Sequence, residues 1–222
     1  MFIPGTSRSS EGMQGVRAAR LITYPWPHLI VDNFLSTSVL ARTLAEINPD
    51  THSFEIEYRG SGRIEFSLLK SKTLWKAIYS KRTIRLLSAA FESPITLNRD
   101  NWIQMRRMNA ETPEFPIHSD FDSDQSSVAS FLYLSEGWAE ERGGRLNLFA
   151  TEDDHLPATS ISPIQNRFVA FQTRDQHWHS VEKVHDWERL KLVRRTCDQL
   201  EILGKKGTFF IFLSLLRWSL GD

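Results

Sequence analysis

The chain has 222 residues, 41% of them hydrophobic and 11% aromatic, a composition that supports one sizeable core and excludes a disordered chain. Its 27 basic and 27 acidic side chains cancel, so there is no global field to recruit nucleic acid or an acidic membrane, and a small-molecule or peptidyl substrate is the expected partner. A single cysteine, Cys197, excludes an internal disulfide framework and fits a reducing, cytoplasmic setting.

In chain order, residues 1–20 combine Gly5, Gly12 and Gly15 with serines, scattered arginines and no apolar period, which predicts a flexible arm without the apolar core of a signal peptide. Leu21 to Phe34 is an apolar run interrupted by Pro25 and Pro27, the pattern of an edge strand entering a domain. Ser36 or Thr37 is placed to cap a helix in which Val39, Leu40, Leu44 and Ile47 share a side, and Pro49 stops it. Phe54, Ile56 and Tyr58 alternate, and the alternation resumes at Ile64, Phe66 and Leu68 beyond Gly60 and Gly62, which predicts a hairpin. Ser71 is expected to cap a second helix reaching about Phe91, with Leu74, Trp75, Ile78, Ile84, Leu87 and Phe91 inward and the lysines and arginines solvated.

From Pro94 onward the period changes to two. Short strands are predicted at Pro94–Leu97, Trp102–Met108, Val128–Leu134, Leu146–Ala150, Ala158–Ser162, Phe168–Gln172, His179–Val184 and about Leu192–Ile202, the spacing of an all-β sandwich or barrel. Gly143 and Gly144 read as a hairpin turn. The last apolar segment, Phe209–Leu220, is broken by Arg217 and too short for a transmembrane helix, so it reads as a closing strand or packed helix.

The chemistry concentrates between Ile117 and Leu200. His118 and Asp120 lie two residues apart, so on an extended strand both point to one face. His179 offers a second imidazole from another alternating stretch, with His177 as the competitor two residues before it. Two histidines and one carboxylate on one side of an ion make the facial triad of non-haem iron oxygenases, which leaves positions open for oxygen and a co-substrate. The acidic run Asp120, Asp122, Asp124 would otherwise be a solvated or calcium-binding loop, but the glycine and glutamate of an EF-hand are not at the required places.

The order of these features carries a resemblance. His118-x-Asp120, then Y-L-S-x-x-W from Tyr133 to Trp138, G-G-x-L-x-L-F from Gly143 to Phe149, H-x-V-x-x-V from His179 to Val184 and R-x-T from Arg194 to Thr196 together resemble the prolyl-4-hydroxylase-like branch of the Fe(II)/2-oxoglutarate dioxygenases. The run from Pro25 to Leu35 resembles the entry segment of bacterial members. The resemblance implies a mainly β fold with N-terminal helices, the double-stranded β-helix or cupin-like jelly roll. It divides the chain into the arm 1–20 and a single dioxygenase domain 21–222, with scaffold at 21–100 and the catalytic core at 101–222.

It also implies Fe(II) held by His118, Asp120 and His179, 2-oxoglutarate and O2 as co-substrates, and hydroxylation of an unactivated C–H bond with release of succinate and CO2. The far carboxylate of 2-oxoglutarate calls for a bidentate cation. Of Arg189, Arg194 and Arg195, Arg194 matches the family's R-x-S/T arrangement, with Thr196 and the Tyr133 hydroxyl as supporting donors. The same alternation sets Asp198 inward, paired either with an internal cation such as Arg106 or Arg145 or with a basic group of the substrate. Met108 stands where relatives often carry a tyrosine. The competing reading is a metal-binding jelly-roll module without oxygenase activity, and a buried cation beyond the metal discriminates between the two.

Overall fold

A computed structural model describes residues 19–59, 62–70, 75–76, 78–96, 102–121 and 127–198, without the side chains at 59, 70, 102 and 194–198. Residues 1–18 of the expected arm, the start of the second helix at Ser71, Asp122, Asp124 and the segment Phe209–Leu220 lie outside the described residues, while Ala19 and Arg20, expected in the arm, already belong to the first strand. The described residues form two antiparallel sheets with helices packed against one of them. Strands β1 (Ala19–Ile22), β2 (His28–Val31), β3 (Glu55–Arg59), β4 (Gly62–Lys70), β5 (Ile95–Thr96), β6 (Trp102–Met108), β8 (Ser127–Tyr133), β11 (Phe168–Gln172) and β13 (Arg189–Asp198) make the larger, in the order β1-β2-β11-β8-β13-β6-β4-β3 with β5 against β13. Strands β7 (Phe115–His118), β9 (Leu146–Leu148), β10 (Thr159–Ile161) and β12 (His179–Val181) make the smaller, in the order β10-β9-β12-β7.

Both faces of the larger sheet are covered at its centre, although Ile56, Tyr58 and Leu68 stay exposed on the outer strands β3 and β4. Every residue of β8 is buried. Val128 and Leu132 face a core completed by helices α1 (Thr37–Glu46) and α2 (Lys81–Ala90), through Ile47, Leu87 and Phe91. Ala129, Phe131 and Tyr133 face the smaller sheet, where Leu146, Leu148, Ile161 and Val181 meet them together with Val169, Phe171 and Val193. This is the double-stranded β-helix, with helices on one outer face. Among the described residues no helix is long and apolar enough to cross a membrane.

Four local expectations change. The run from Leu21 is two strands rather than one: β1 and β2 pair as a hairpin around Pro25, and β2, free of proline, also pairs with β11 and is buried throughout. The prolines supply no N–H and so fall in the turn. Trp75, Lys76 and Ile78 are helical, yet α2 starts afresh at Lys81, because Ser80 is extended (φ −63°, ψ 160°) and its hydroxyl accepts a hydrogen bond from the Thr83 N–H at 3.2 Å. Gly143 and Gly144 do not turn a hairpin but carry the chain from the larger sheet to the smaller, with Gly143 bridged to Val184. Strand β13 begins at Arg189, three residues earlier than the alternation of Leu192 onward suggests.

Candidate active site

His118 closes β7 and His179 opens β12, and the two are cross-strand partners with ring centroids 4.2 Å apart. Asp120 follows β7 by two residues and brings Oδ2 to 3.7 Å from His179 Nε2. One ligand atom from each of the three lies within 4.8 Å of the others; bonds of about 2 Å hold two donors at most about 4 Å apart, so a side-chain shift of about 1 Å would close the three on one ion. Each imidazole is oriented by its own strand end: Nδ1 of His118 meets the Pro116 carbonyl at 2.8 Å and Nδ1 of His179 the His177 carbonyl at 2.9 Å. With Nδ1–H donating to those carbonyls, Nε2 of each ring is left as an acceptor toward the ion. Burial and the neighbouring His179 push His118 down to about 4, against an opposing pull from Asp120, so this imidazole is neutral at physiological pH as a ligand must be. The donor set fits iron.

His177 is absent from this cluster. Its Nδ1 meets the Gln172 carbonyl at 2.6 Å, and its ring stacks on Trp26 with centroids 4.6 Å apart and planes at 14°. Trp26 is a wall that sequence reasoning missed. Its Nε1–H donates to the Phe149 carbonyl at 3.1 Å, and its ring meets Phe171 and His179 edge-on. The signal for it was the P-W-P-H run, whose turn delivers the indole from the β1–β2 hairpin into the space between the sheets. On the other side Phe115 packs edge-on against His118, and Gly62 leaves the room that ring occupies, since a Cβ there would enter it.

Across from the triad, β13 supplies two cations. Lys191 is in register with Tyr133 on β8 and with Arg106 on β6, and Arg189 with Met108. Arg189 is 3% exposed. One amino group donates to the Tyr133 hydroxyl at 3.3 Å, another approaches the Met108 sulfur at 3.8 Å, and the guanidinium carbon lies 5.1 Å from the centre of the Tyr133 ring. Its Nε has no partner, and among the described residues no carboxylate pairs with it. Gly144 makes space for this side chain: at φ +73° its missing Cβ would lie 3.2 Å from Arg189 Cδ. Lys191 is 8% exposed, with Nζ 4.2 Å from the centre of the Phe131 ring. Burial, with Arg189 and Arg106 adding to it and Asp120 opposing, pushes its ammonium well below the ordinary lysine range.

Tyr133, expected to face the interior, is fully buried and is the hydroxyl to which Arg189 donates. The backbone of Arg194 is in register with Ser130, that of Thr196 with Val128 and that of Asp198 with Ile95, while their side chains lie outside the described residues. Arg189 and Lys191 were the cations that alternation could have found, had the strand been started at 189: positions 189, 191 and 193 then share a face with Tyr133 and Phe131.

Residues 103–196 match the family model for the 2OG-Fe(II) oxygenase superfamily, a span that includes the triad, Tyr133, Arg189 and Lys191. The prolyl 3-hydroxylase sudestada1 of Drosophila melanogaster is 32% identical over 87 residues, 34% of this chain and 16% of that protein, so the match spans only a small part of the relative's length. Among solved structures, a Pseudomonas putida prolyl-4-hydroxylase superposes with a TM-score of 0.61 at 18% identity, covering 77% of this chain and 91% of that one. A Trichoplax adhaerens prolyl hydroxylase in complex with a hypoxia inducible factor oxygen degradation domain peptide gives 0.59 at 18% identity, covering 81% and 87%. The non-heme alpha ketoglutarate dependent epimerase SnoN from nogalamycin biosynthesis gives 0.60 at 15% identity, covering 82% and 86%. These three share its fold.

Proposed function

We propose that the chain, whose residues 103–196 match the 2OG-Fe(II) oxygenase superfamily model, acts as such an oxygenase and hydroxylates an unactivated C–H bond of a small metabolite, amino acid or peptidyl substrate, turning 2-oxoglutarate into succinate and CO2. His118, Asp120 and His179 would hold Fe(II), and Arg189 with Tyr133 would take the far carboxylate of 2-oxoglutarate. The observation that carries this reading is the buried Arg189 guanidinium, which has a hydroxyl and a ring beside it and no carboxylate among the described residues. A buried charge without a counter-ion is costly, so its retention beside Tyr133 argues for an anionic ligand. A bare metal-binding module has no need of it. Bound iron supplies the activation of O2 that couples decarboxylation of the oxo acid to oxidation of the substrate.

The protein's own contribution is position and dryness. Nδ1–H of both histidines is committed to backbone carbonyls, which fixes the rings. Trp26, Phe131 and Phe171 exclude water around the oxidising centre. A peptidyl substrate is supported by the peptide in the Trichoplax complex and by the prolyl 3-hydroxylase relative.

The test is an anaerobic titration of the Fe(II)-loaded protein with 2-oxoglutarate, following the weak visible charge-transfer band of the chelate. Arg189→Ala is expected to raise the half-saturating concentration by about 100-fold or more, the equivalent of the roughly 3–5 kcal/mol lost when one partner of a buried charge pair is removed, whereas Arg194→Ala shifts it a few-fold at most. A larger effect at Arg194 would return the anchor to that residue. No band in the wild-type protein would leave only the metal-binding module.

A further inference from the structure

Lys191 has no place in the reading above. It is a lysine buried to 8% exposure, and the one contact its ammonium makes among the described residues is with the face of Phe131. A ring face repays only part of the cost of drying a charge. Its position narrows what completes the environment. Along β13 it stands between Arg189 and Val193, and across the sheet it is paired with Tyr133. The ammonium does not stop at Tyr133 but reaches Phe131, two residues further along β8, or about 7 Å of strand. Phe131 meets Phe171 edge-on, with centroids 5.6 Å apart, and Phe171 meets His179 at 5.0 Å. Lys191 also feels the charges of Arg189, Arg106 and Asp120, and His118 feels that of Lys191. The ring contacts thus lead from Lys191 to His179 of the triad, while β13 leads from Lys191 to Arg189.

Resting on the proposed co-substrate, we propose that Lys191 is a second anchor for 2-oxoglutarate, its ammonium taking the 1-carboxylate beside the triad while Arg189 and Tyr133 take the 5-carboxylate. An extended dicarboxylate spanning the chamber passes Lys191, and its inner carboxylate is the counter-ion that Phe131 cannot be. The chamber would then hold both ends of the co-substrate by charge, Arg189 selecting for the second carboxylate and Lys191 strengthening the chelating end. On this account Lys191 is kept for binding at a cost to the empty fold, because its removal takes away a buried charge that Phe131 and Asp120 only partly offset.

Calorimetric titration of the full-length protein loaded with Mn(II), which binds the triad without turnover, separates the two cations. The ligands are 2-oxoglutarate and 2-oxopentanoate, which keeps the 1-carboxylate and ketone but ends in a methyl group. Lys191→Met is expected to weaken both ligands by a common factor of about tenfold or more, and Arg189→Met to weaken 2-oxoglutarate alone. The thermal midpoint of the metal-free Lys191→Met protein should equal or exceed that of wild type. Lys191→Gln should repeat the affinity losses, and it gives the same reading should the Met variant not fold. If Lys191→Met or Lys191→Gln leaves both affinities within about twofold, the lysine does not touch the co-substrate. Loss confined to 2-oxoglutarate moves it to the far carboxylate, and a lowered midpoint with unchanged affinities makes it structural; each overturns the proposal. A wild-type protein that binds neither oxo acid overturns the co-substrate reading itself, a result distinct from a lysine variant that behaves as wild type.

Discussion

At the scale of single residues, the two histidines of H-W-H are separated by what their Nδ1 atoms and rings touch. His179 Nδ1 meets the carbonyl two residues before it and the ring adjoins His118, while His177 Nδ1 meets Gln172 and the ring lies flat on Trp26. Alanine at 118, 120 or 179 is therefore expected to abolish stoichiometric metal binding, and alanine at 177 to leave it near one ion per chain. Metal analysis after gel filtration reads this directly, and loss at 177 with retention at 179 would reverse the assignment. Protonation gives a second prediction. Burial lowers His28, His118 and His177, His118 to about 4, from an ordinary value of 6.5. The folded state binds these protons less readily than the unfolded state, so unfolding takes up protons and stability falls as pH drops. The loss for His118 begins near 6.5 and levels off below about 4. Chemical denaturation of the metal-free protein between pH 7.5 and 4 should show a falling free energy of unfolding, and a flat profile would mean that the imidazoles are more solvated than their packing implies.

At the scale of elements, the G-G pair is a device for placing Arg189. Gly143 (φ +63°) leaves room for the Lys183 carbonyl, and Gly144 (φ +73°) for the Arg189 side chain and Val184. Ala at 144 combines a left-handed backbone, costing about 1–3 kcal/mol, with contacts of 3.1 Å to Val184 Cγ2 and 3.2 Å to Arg189 Cδ. The expected outcome is a lowered melting temperature together with weaker 2-oxoglutarate binding and unchanged metal stoichiometry. Equal affinity for the co-substrate in the variant would show that Arg189 does not depend on this turn. The pair was visible in the sequence as a turn. Which turn it made was not, because its partners Lys183, Val184 and Arg189 lie about 40 residues further along the chain.

At the scale of the whole molecule, the candidate metal site lies where the edge strand of the small sheet meets its neighbour. β7 and β12 pair through His118 and His179, with a register shift immediately after them, and Asp120 is held by no strand. An ion bound there ties both strands to a common point, and binding to the folded state alone raises stability by mass action. At free metal of about 100 times Kd the gain is about 2.7 kcal/mol. Titration of Mn(II) into the metal-free protein should raise the melting temperature continuously with concentration, and His179→Ala should remove the dependence.

The amino-acid sequence by itself determined the elements whose signals are local. The two-residue alternation produced most strands, and Thr37 to Ile47 showed its helix because the apolar residues recur on one side within ten residues. His118-x-Asp120 was legible from its spacing, although the expected single strand stops at His118 and Asp120 joins the cluster from the residues just beyond β7. The choice of His179 came from motif order, and the packing that excludes His177 required Trp26, about 150 residues away in sequence. What only the tertiary structure decided was which cation lies buried beside Tyr133. From the sequence, Arg189, Arg194 and Arg195 were three equivalent cations after His179, and R-x-T spoke for Arg194. The start of β13 at Arg189, its register with Met108, and the hydroxyl of Tyr133 singled out Arg189 and brought Lys191 in beside it. Those contacts join residues 56 to 81 positions apart, and a strand's register against distant partners is set by the packing of the sheet it joins rather than by its own alternation.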